Sequence, residues 1–409
     1  PTRSEFDENE RFVASIDQGT SSSRFMVFDK SGKVVASHQQ EHKQYYPQPG
    51  WVEHDPEEIW TSVTSCIDQC MADYNLKAIN ISALGITNQR ETTVIWNKHT
   101  GKPYHNAIVW NDGRTMDICE KLKTANGGRN EAMFKSKAGL PIAPYFSGTK
   151  TMYMLEHVAG LREAAEAGDA LFGTIDTWLV WKLTNGRLHA TDVTNASRTL
   201  MMDLKSLQWD KELTSTLNVP VKMLPEIRSS SECFGAVAAQ GAHGGSAGLA
   251  GVQISGILGD QQAALFGQTC FNAGETKVTY GTGAFLMMNT GRGKKAVISS
   301  KHGLLTTVAF QLGKNSEPFY ALEGSIAYCG SLIQWLRDNL HAIKDAKESE
   351  ALAKSVPDNG GVYFVPAFSG LFAAYWRGEA RGVITGLTAF DTMNHIVRAA
   401  LEAAAFQVN

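Results

Sequence analysis

The chain has 409 residues, 43% of them hydrophobic and 19% charged, the composition of a globular protein of two or three ordinary domains. Lys and Arg number 38 against 41 Asp and Glu, a net charge of −3 that implies no basic face and makes nucleic acid an unexpected partner. No run of about 18 apolar residues could span a membrane, Pro1 to Arg11 is an acidic, polar tail without a signal-peptide core, and the 6 cysteines are scattered, so a reducing, cytoplasmic compartment is expected.

In chain order, apolar residues lead into Asp17, a small polar loop runs from Gly19 to Arg24, and Phe25 to Phe28 continue as a second strand, which predicts a β-hairpin. Gly19 allows a tight turn and close approach to a ligand, and successive backbone N–H groups in such a turn form an anion-binding concavity. A carboxylate at Asp17 could reach a metal held by the same phosphates. Taken alone, the stretch reads first as an ordinary polar hairpin. Lys33 to Gln40 reads as a third strand, and the prolines from Tyr45 to Pro56 enforce an ordered loop. Asp55 as N-cap, Pro56 at the first position and Glu58 closing a capping box predict a helix to about Tyr74, with Ile59, Val63, Cys66, Ile67 and Cys70 on its buried face.

Ile79 to Thr87 reads as a buried strand that carries Arg90 and Glu91 just beyond its carboxyl end, where open α/β sheets place ligands. Thr92 to Trp96 is the next strand, and Ala107 to Trp110 delivers Asn111, Asp112 and Arg114 into a loop. Residues 115–168 are expected to be mostly helical, broken at 139–148. Leu171 to Ile175 reads as a strand and Asp176 as the cap of a helix through Leu183. The 5 glycines between Gln240 and Gly251 suggest a mobile loop at a domain boundary. Beyond it, a strand to Gly259 ends in Asp260 at a helix N-terminus.

Glu275 to Tyr280, the turn Gly281-Thr282-Gly283 and Ala284 to Met288 then repeat the opening device, which suggests an internal duplication around a cleft. Strands at Leu304 to Phe310, Pro318 to Leu322 and Val362 to Pro366 follow, with helices at Ile326 to Leu340, Asp345 to Ser355 and from Thr392 into Asn409.

Two Gly/Thr turns on either side of a cleft suit phosphates, although neither a P-loop nor a Gly-x-Gly-x-x-Gly motif is present. Phosphoryl transfer needs positioning, charge neutralisation and a base for the attacking hydroxyl. Asp260 suits the base, and equally suits a helix N-cap. Arg90 and Glu91 suit a small polyhydroxy ligand or a surface salt bridge. Trp110, Tyr145 and Phe285 could wall a carbon skeleton or simply fill a core.

Together these stretches resemble the FGGY carbohydrate kinases, and within them the members that act on glycerol. The likeness rests on Asp17 to Arg24, Pro49 to Pro56, Gly85 to Thr93, Asn106 to Trp110, Pro144 to Lys150, Thr194 to Thr199, Gly259 to Gln268, Tyr280 to Gly283, Ala321 to Gly324 and Gly382 to Leu387. It implies an α/β fold of two ribonuclease-H-like domains of the actin/hexokinase type around a central cleft. ATP with Mg²⁺ is the implied donor, glycerol the acceptor and sn-glycerol 3-phosphate the product. By motif, Arg90, Glu91, Trp110, Tyr145, Asp260, Gln261 and Phe285 fall on glycerol contacts, with Asp260 as base. Thr20, Ser21, Ser22, Arg24, Thr282, Gly330 and Gln334 fall on nucleotide contacts, and Asp17 on the Mg²⁺-linked position. The implied division is a tail at 1–11, an N-terminal domain at 12–256 and a nucleotide-binding C-terminal domain at 257–409, expected to lack the family's last segment.

A homo-oligomer, dimer or tetramer, is the expected assembly. Thr151, Tyr153 and Ala374 depart from the family pattern, and Gly251 stands where bacterial members carry an arginine for a sugar bisphosphate inhibitor. A kinase for a longer sugar such as xylulose, and a polyol-binding chain without catalysis, are the competing readings.

Overall fold

The computed structural model describes residues 9–408, so the polar tail lies mostly outside the described residues, as does Asn409. The opening hairpin forms as expected. Strand β1 (Phe12–Gln18) buries Phe12, Ala14, Ile16 and Gln18 on alternate positions and turns into β2 (Ser22–Phe28), with Asp17 opposite Arg24. Strand β3 (Val34–Glu41) completes an antiparallel meander. Helix α1 (Pro56–Asp73) packs the expected apolar stripe on that meander. Asp55 caps it by accepting from the Glu57 N–H at 2.8 Å. The expected capping box does not form, because Glu58 instead accepts the Tyr45 hydroxyl at 2.6 Å.

Strand β4 (Ile81–Asn88) lies parallel to β1. Helices α2 (Ser147–His157), α3 (Ile175–Leu183) and α4 (Val193–Ala196) follow. Asp176 is not the cap of α3. It is fully buried, accepting from Thr174 at 2.5 Å and Thr191 at 2.6 Å, and burial together with nearby Asp192 pushes its carboxyl up to about 7. Strand β5 (Ile254–Gly259) then returns to lie parallel to β4, giving a mixed sheet in the order β5-β4-β1-β2-β3. Ile16, Val27, Ile59, Ile67, Leu84 and Trp178 belong to the single core between this sheet and its helices.

Helix α5 (Asp260–Gly267) leads to the second sheet, built from β6 (Thr276–Tyr280), β7 (Ala284–Arg292), β8 (Leu305–Phe310) and β9 (Phe319–Ile326) in the order β6-β7-β9-β8, antiparallel throughout. The β6–β7 hairpin repeats the β1–β2 device, with Gly281 N–H bonding the Gly283 carbonyl as Gly19 N–H bonds that of Ser22, both at 2.9 Å. Helix α6 (Gly330–Asp338) begins later than the sequence suggests, because β9 runs to Ile326. Helix α7 (Met393–Val408) closes the described chain. The whole is a mixed α/β, two-domain fold of the actin/hexokinase type.

Candidate active site

The parallel strands align their carboxyl ends. Gln18 of β1 pairs with Asn88 of β4, and Asn88 with Gly259 of β5. The residues immediately beyond, namely Gly19-Thr20, Arg90-Glu91 and Asp260, therefore emerge at one edge of the sheet, the usual ligand position in open α/β sheets. Gly259 has to be glycine, since a Cβ there would lie 2.7 Å from both Cγ and Cδ of Arg90. Its N–H donates to Thr194 at 2.9 Å, which fixes the backbone just before Asp260. Glu91 adopts a left-handed φ of 60°, with its carbonyl accepting the hydroxyls of Ser147 at 3.0 Å and Thr93 at 2.9 Å. Such a conformation persists only where the surroundings enforce it.

These elements enclose a cavity of about 220 Å³. It is lined by Thr20, Ser21, Arg90, Glu91, Trp110, Tyr145, Asp260, Gln261, Thr282 and Phe285, with Gly19, Thr279, Gly281 and Gly283. One cavity thus gathers the aromatic, charged and turn residues that the sequence had left spread from Gly19 to Phe285. Trp110 meets Tyr145 and Phe285 edge-on at 5.9 and 5.8 Å, forming an apolar wall. The Trp110 indole N–H donates to the Thr20 hydroxyl at 2.9 Å, joining that wall to the first turn.

The polar floor is a buried charge network. Arg90 and Glu91 are not paired with each other, as a surface salt bridge would require. Arg90 forks onto Glu323 at 2.6 and 2.8 Å and holds its Nε 3.3 Å from Asp260. Glu91 accepts from Arg198 at 2.6 Å. Burial raises the Glu91 carboxyl, with Arg198 and Arg90 opposing. Desolvation likewise raises Asp260, offset by Arg90 and Lys277, while nearby Asp17 pushes it up further. Asp260 starts α5 rather than capping it, and its side chain is 32% exposed. Gln261 accepts from the Lys277 amine, which also donates to Thr279 at 2.9 Å.

The remaining expected residues lie around this cavity. Gln334 and Thr282 line an adjoining, larger cavity of about 560 Å³ with Tyr46, Tyr328 and Trp335. Gly330 packs on the second turn, donating its N–H to the Gly281 carbonyl at 2.8 Å. Ser22 and Arg24 point away toward Gln39, which Arg24 engages at 2.7 Å and which donates to Ser22 at 2.9 Å. Asp17 is half-buried, its acidity weakened by desolvation against the pull of Arg24, and close enough to Asp260 to raise it. Two carboxylates beside phosphate-sized turns fit Mg²⁺, which is usually bound through one or two carboxylates and substrate phosphates.

Arg198, Glu323, Lys277 and Thr279 were not singled out by sequence reasoning. Glu323 left a signal, as a lone carboxylate inside a strand otherwise made of apolar and small residues.

Comparison with known proteins points to one family. The models of the FGGY family of carbohydrate kinases match over residues 12–267 for the N-terminal domain and 276–409 for the C-terminal domain. Glycerol kinase 1 of Streptomyces avermitilis is 55% identical over 403 residues, covering 97% of this chain and 76% of the relative. Glycerol kinase of Beutenbergia cavernae is 56% identical over 399 residues, with the same 97% and 76% coverage. Among solved structures, Plasmodium falciparum glycerol kinase with ADP superposes with a TM-score of 0.82 at 39% identity, covering 98% of this chain and 77% of that one. Ligand-bound xylulose kinase from Lactobacillus acidophilus shares the fold at a TM-score of 0.77 and 21% identity, over 97% of this chain and 77% of its own.

Proposed function

The chain belongs to the FGGY family of carbohydrate kinases, and we propose that it transfers the γ-phosphoryl group of ATP to a terminal hydroxyl of glycerol, with Asp260 accepting the hydroxyl proton. The observation that carries this reading is the single cavity shared by both Gly/Thr turns, the Arg90–Glu91 floor and Asp260.

The residues divide the work as phosphoryl transfer demands. Arg90 donates to glycerol oxygens and Glu91 accepts from its hydroxyl hydrogens. Trp110, Tyr145 and Phe285 cover the carbon skeleton and keep water from competing as acceptor. Gln261, held by Lys277, orients the hydroxyl that faces Asp260. The upward push on Asp260 makes its carboxylate a better proton acceptor than an ordinary aspartate. Backbone N–H groups and hydroxyls of Thr20, Ser21 and Thr282 cradle the phosphates, and Gln334 borders the larger adjoining cavity where the rest of the nucleotide would extend. Asp17 would hold the Mg²⁺ that accompanies ATP, whose chemistry is to neutralise charge on the phosphate oxygens. The buried free thiols of Cys66, Cys70, Cys119 and Cys270 support a reducing, cytoplasmic setting.

Asp260→Asn tests the base. Glycerol binding by calorimetry should persist while glycerol-dependent ADP release falls by roughly 10²–10⁴-fold. Turnover close to that of the parent would remove Asp260 from the role.

A further inference from the structure

We propose that Glu323 is a positioning residue for the glycerol site: from the second sheet, it clamps Arg90 and Arg198 so that one guanidinium faces Asp260 and the other holds Glu91. This deepens the glycerol reading and rests on it. Glu323 stands behind the cavity wall rather than in it. Its Oε2 accepts from Arg90 at 2.6 Å, and its Oε1 accepts from Arg90 at 2.8 Å, Arg198 at 3.2 Å and the Ser325 hydroxyl at 2.8 Å. Arg90 and Arg198 then reach Asp260 at 3.3 Å and Glu91 at 2.6 Å respectively. One carboxylate is therefore the shared counter-ion of the two side chains that touch the base and the polyol acceptor.

The second sheet delivers Glu323 by register. Lys277 of β6 pairs with Met287 of β7, and Met287 with Glu323 of β9, so all three side chains rise from one row on one face. Two residues along, Thr279, Phe285 and Ser325 form the next row on that face. The face that supplies Phe285 to the cavity wall thus also supplies the clamp behind the floor. Arg90, Arg198 and Lys277 balance Glu91, Asp260 and Glu323 in charge, and only Asp260 of these six is substantially exposed. A carboxylate fully buried inside a strand is costly unless its partners need it ionised. The two arginines hold Glu323 ionised, keeping its carboxyl down at about 2 against the opposing effect of burial.

An amide cannot do this. In Glu323→Gln the amide oxygen can accept from one guanidinium, while the amide N–H₂ meets the other donor to donor. Arg90 loses half its fork and is drawn onto Asp260, and one positive charge is left uncompensated.

The test compares the parent chain with Glu323→Gln and Glu323→Asp in glycerol-dependent ADP release across pH, with thermal unfolding alongside. In Glu323→Gln the glycerol KM should rise about tenfold or more, as expected for loss of a charge-assisted hydrogen bond. The ATP KM should stay close to the parent's, and the acid limb of kcat/KM should move to lower pH as the extra positive charge stabilises the Asp260 carboxylate. Glu323→Asp keeps the charge but shortens the reach, so its acid limb should return while its glycerol KM stays raised. If Glu323→Gln does not fold, that split in the Asp variant decides alone.

A folded Gln or Asp variant with parental glycerol KM, or a change confined to melting temperature, would overturn the clamp. A parent chain that binds glycerol by calorimetry without releasing ADP would instead refute the kinase reading, and glycerol binding by the variants would still report on the clamp.

Discussion

The two Gly/Thr turns that line the same cavity are held by different means. At the first, mainly side chains hold the loop: Trp110 donates to Thr20 at 2.9 Å, and Gln18 and Gln89 donate to the Gly19 carbonyl at 2.8 and 3.1 Å, beside one backbone bond from the His42 N–H to the Ser21 carbonyl at 3.2 Å. At the second, backbone holds backbone. The N–H of Cys329 donates to the Thr282 carbonyl at 2.9 Å, that of Gly330 to Gly281 at 2.8 Å and that of Ser331 to Thr282 at 3.2 Å, with the Ser331 hydroxyl adding a bond at 2.8 Å. The difference follows from the sheets. Strand β1 lies inside its sheet, so residues beyond the end of parallel β4 reach its turn. Strand β6 is an edge among the described residues, and the start of α6 supports its turn instead. A turn held by several side chains should lose function in steps. One held by the close approach of a helix should lose it at once.

Gly330→Val is the harshest way to break this contrast. A Cβ at Gly330 would sit 2.6 Å from the Gly281 carbonyl oxygen, so α6 must withdraw and its bonds to the turn are lost together. Overpacking of this kind costs about 1–3 kcal/mol. The ATP KM should therefore rise roughly ten- to hundredfold, while calorimetric glycerol binding stays near the parent's, because the glycerol floor lies on the other side of Thr282. An unchanged ATP KM would mean that the second turn does not depend on α6.

Trp110→Phe probes the first turn more gently. The ring wall is kept and one neutral hydrogen bond to Thr20 is lost, worth about 0.5–1.5 kcal/mol. Gln18 and Gln89 still hold Gly19, so both KM values should rise only about two- to tenfold by the same measure. A collapse as severe as that of Gly330→Val would show that the first turn hangs on Trp110 alone.

The same contrast explains what the sequence disclosed. Both hairpins, the Asp55–Pro56 start of α1 and the strand-end positions of Arg90, Glu91 and Asp260 follow from local periodicity, turn chemistry and the rule for strand ends. What failed was the choice of partner. Glu58 looks like half a capping box until Tyr45 claims it, and Asp176 looks like a cap until Thr191 takes it into the core. Arg90 and Glu91 look like a pair because they are adjacent, yet their counter-ions are 233 and 107 residues away. Local motifs carry geometry within a few residues. The choice of counter-ion is made by tertiary packing, which one sequence without its fold does not encode visibly.

The smallest expected effect concerns charge. Each hairpin brings one ionisable group whose charged form burial disfavours: Asp17 is pushed up on the first, and Lys277 is pushed down to about 8 on the second. Desolvation is the main cause at Lys277, with Arg90 adding to it and Glu323 and Asp260 opposing. An unfolded lysine titrates near about 10.4. Between about 8 and that value the unfolded chain holds a proton that folded Lys277 has shed, so this group makes stability rise with pH across the window. Activity should move the other way. Above about pH 8 the neutral amine still reaches Gln261, but Asp260 loses a neighbouring cation and its alignment slackens, giving a shallow basic limb in kcat/KM. Lys277→Met should lower activity at pH 7, abolish that limb and flatten the rise in urea midpoint. If the limb persists unchanged in Lys277→Met, the titration belongs to another group. Lys150 would be the first to examine, since burial also brings it down to about 8 while its amine holds the Pro144 carbonyl, beside Tyr145.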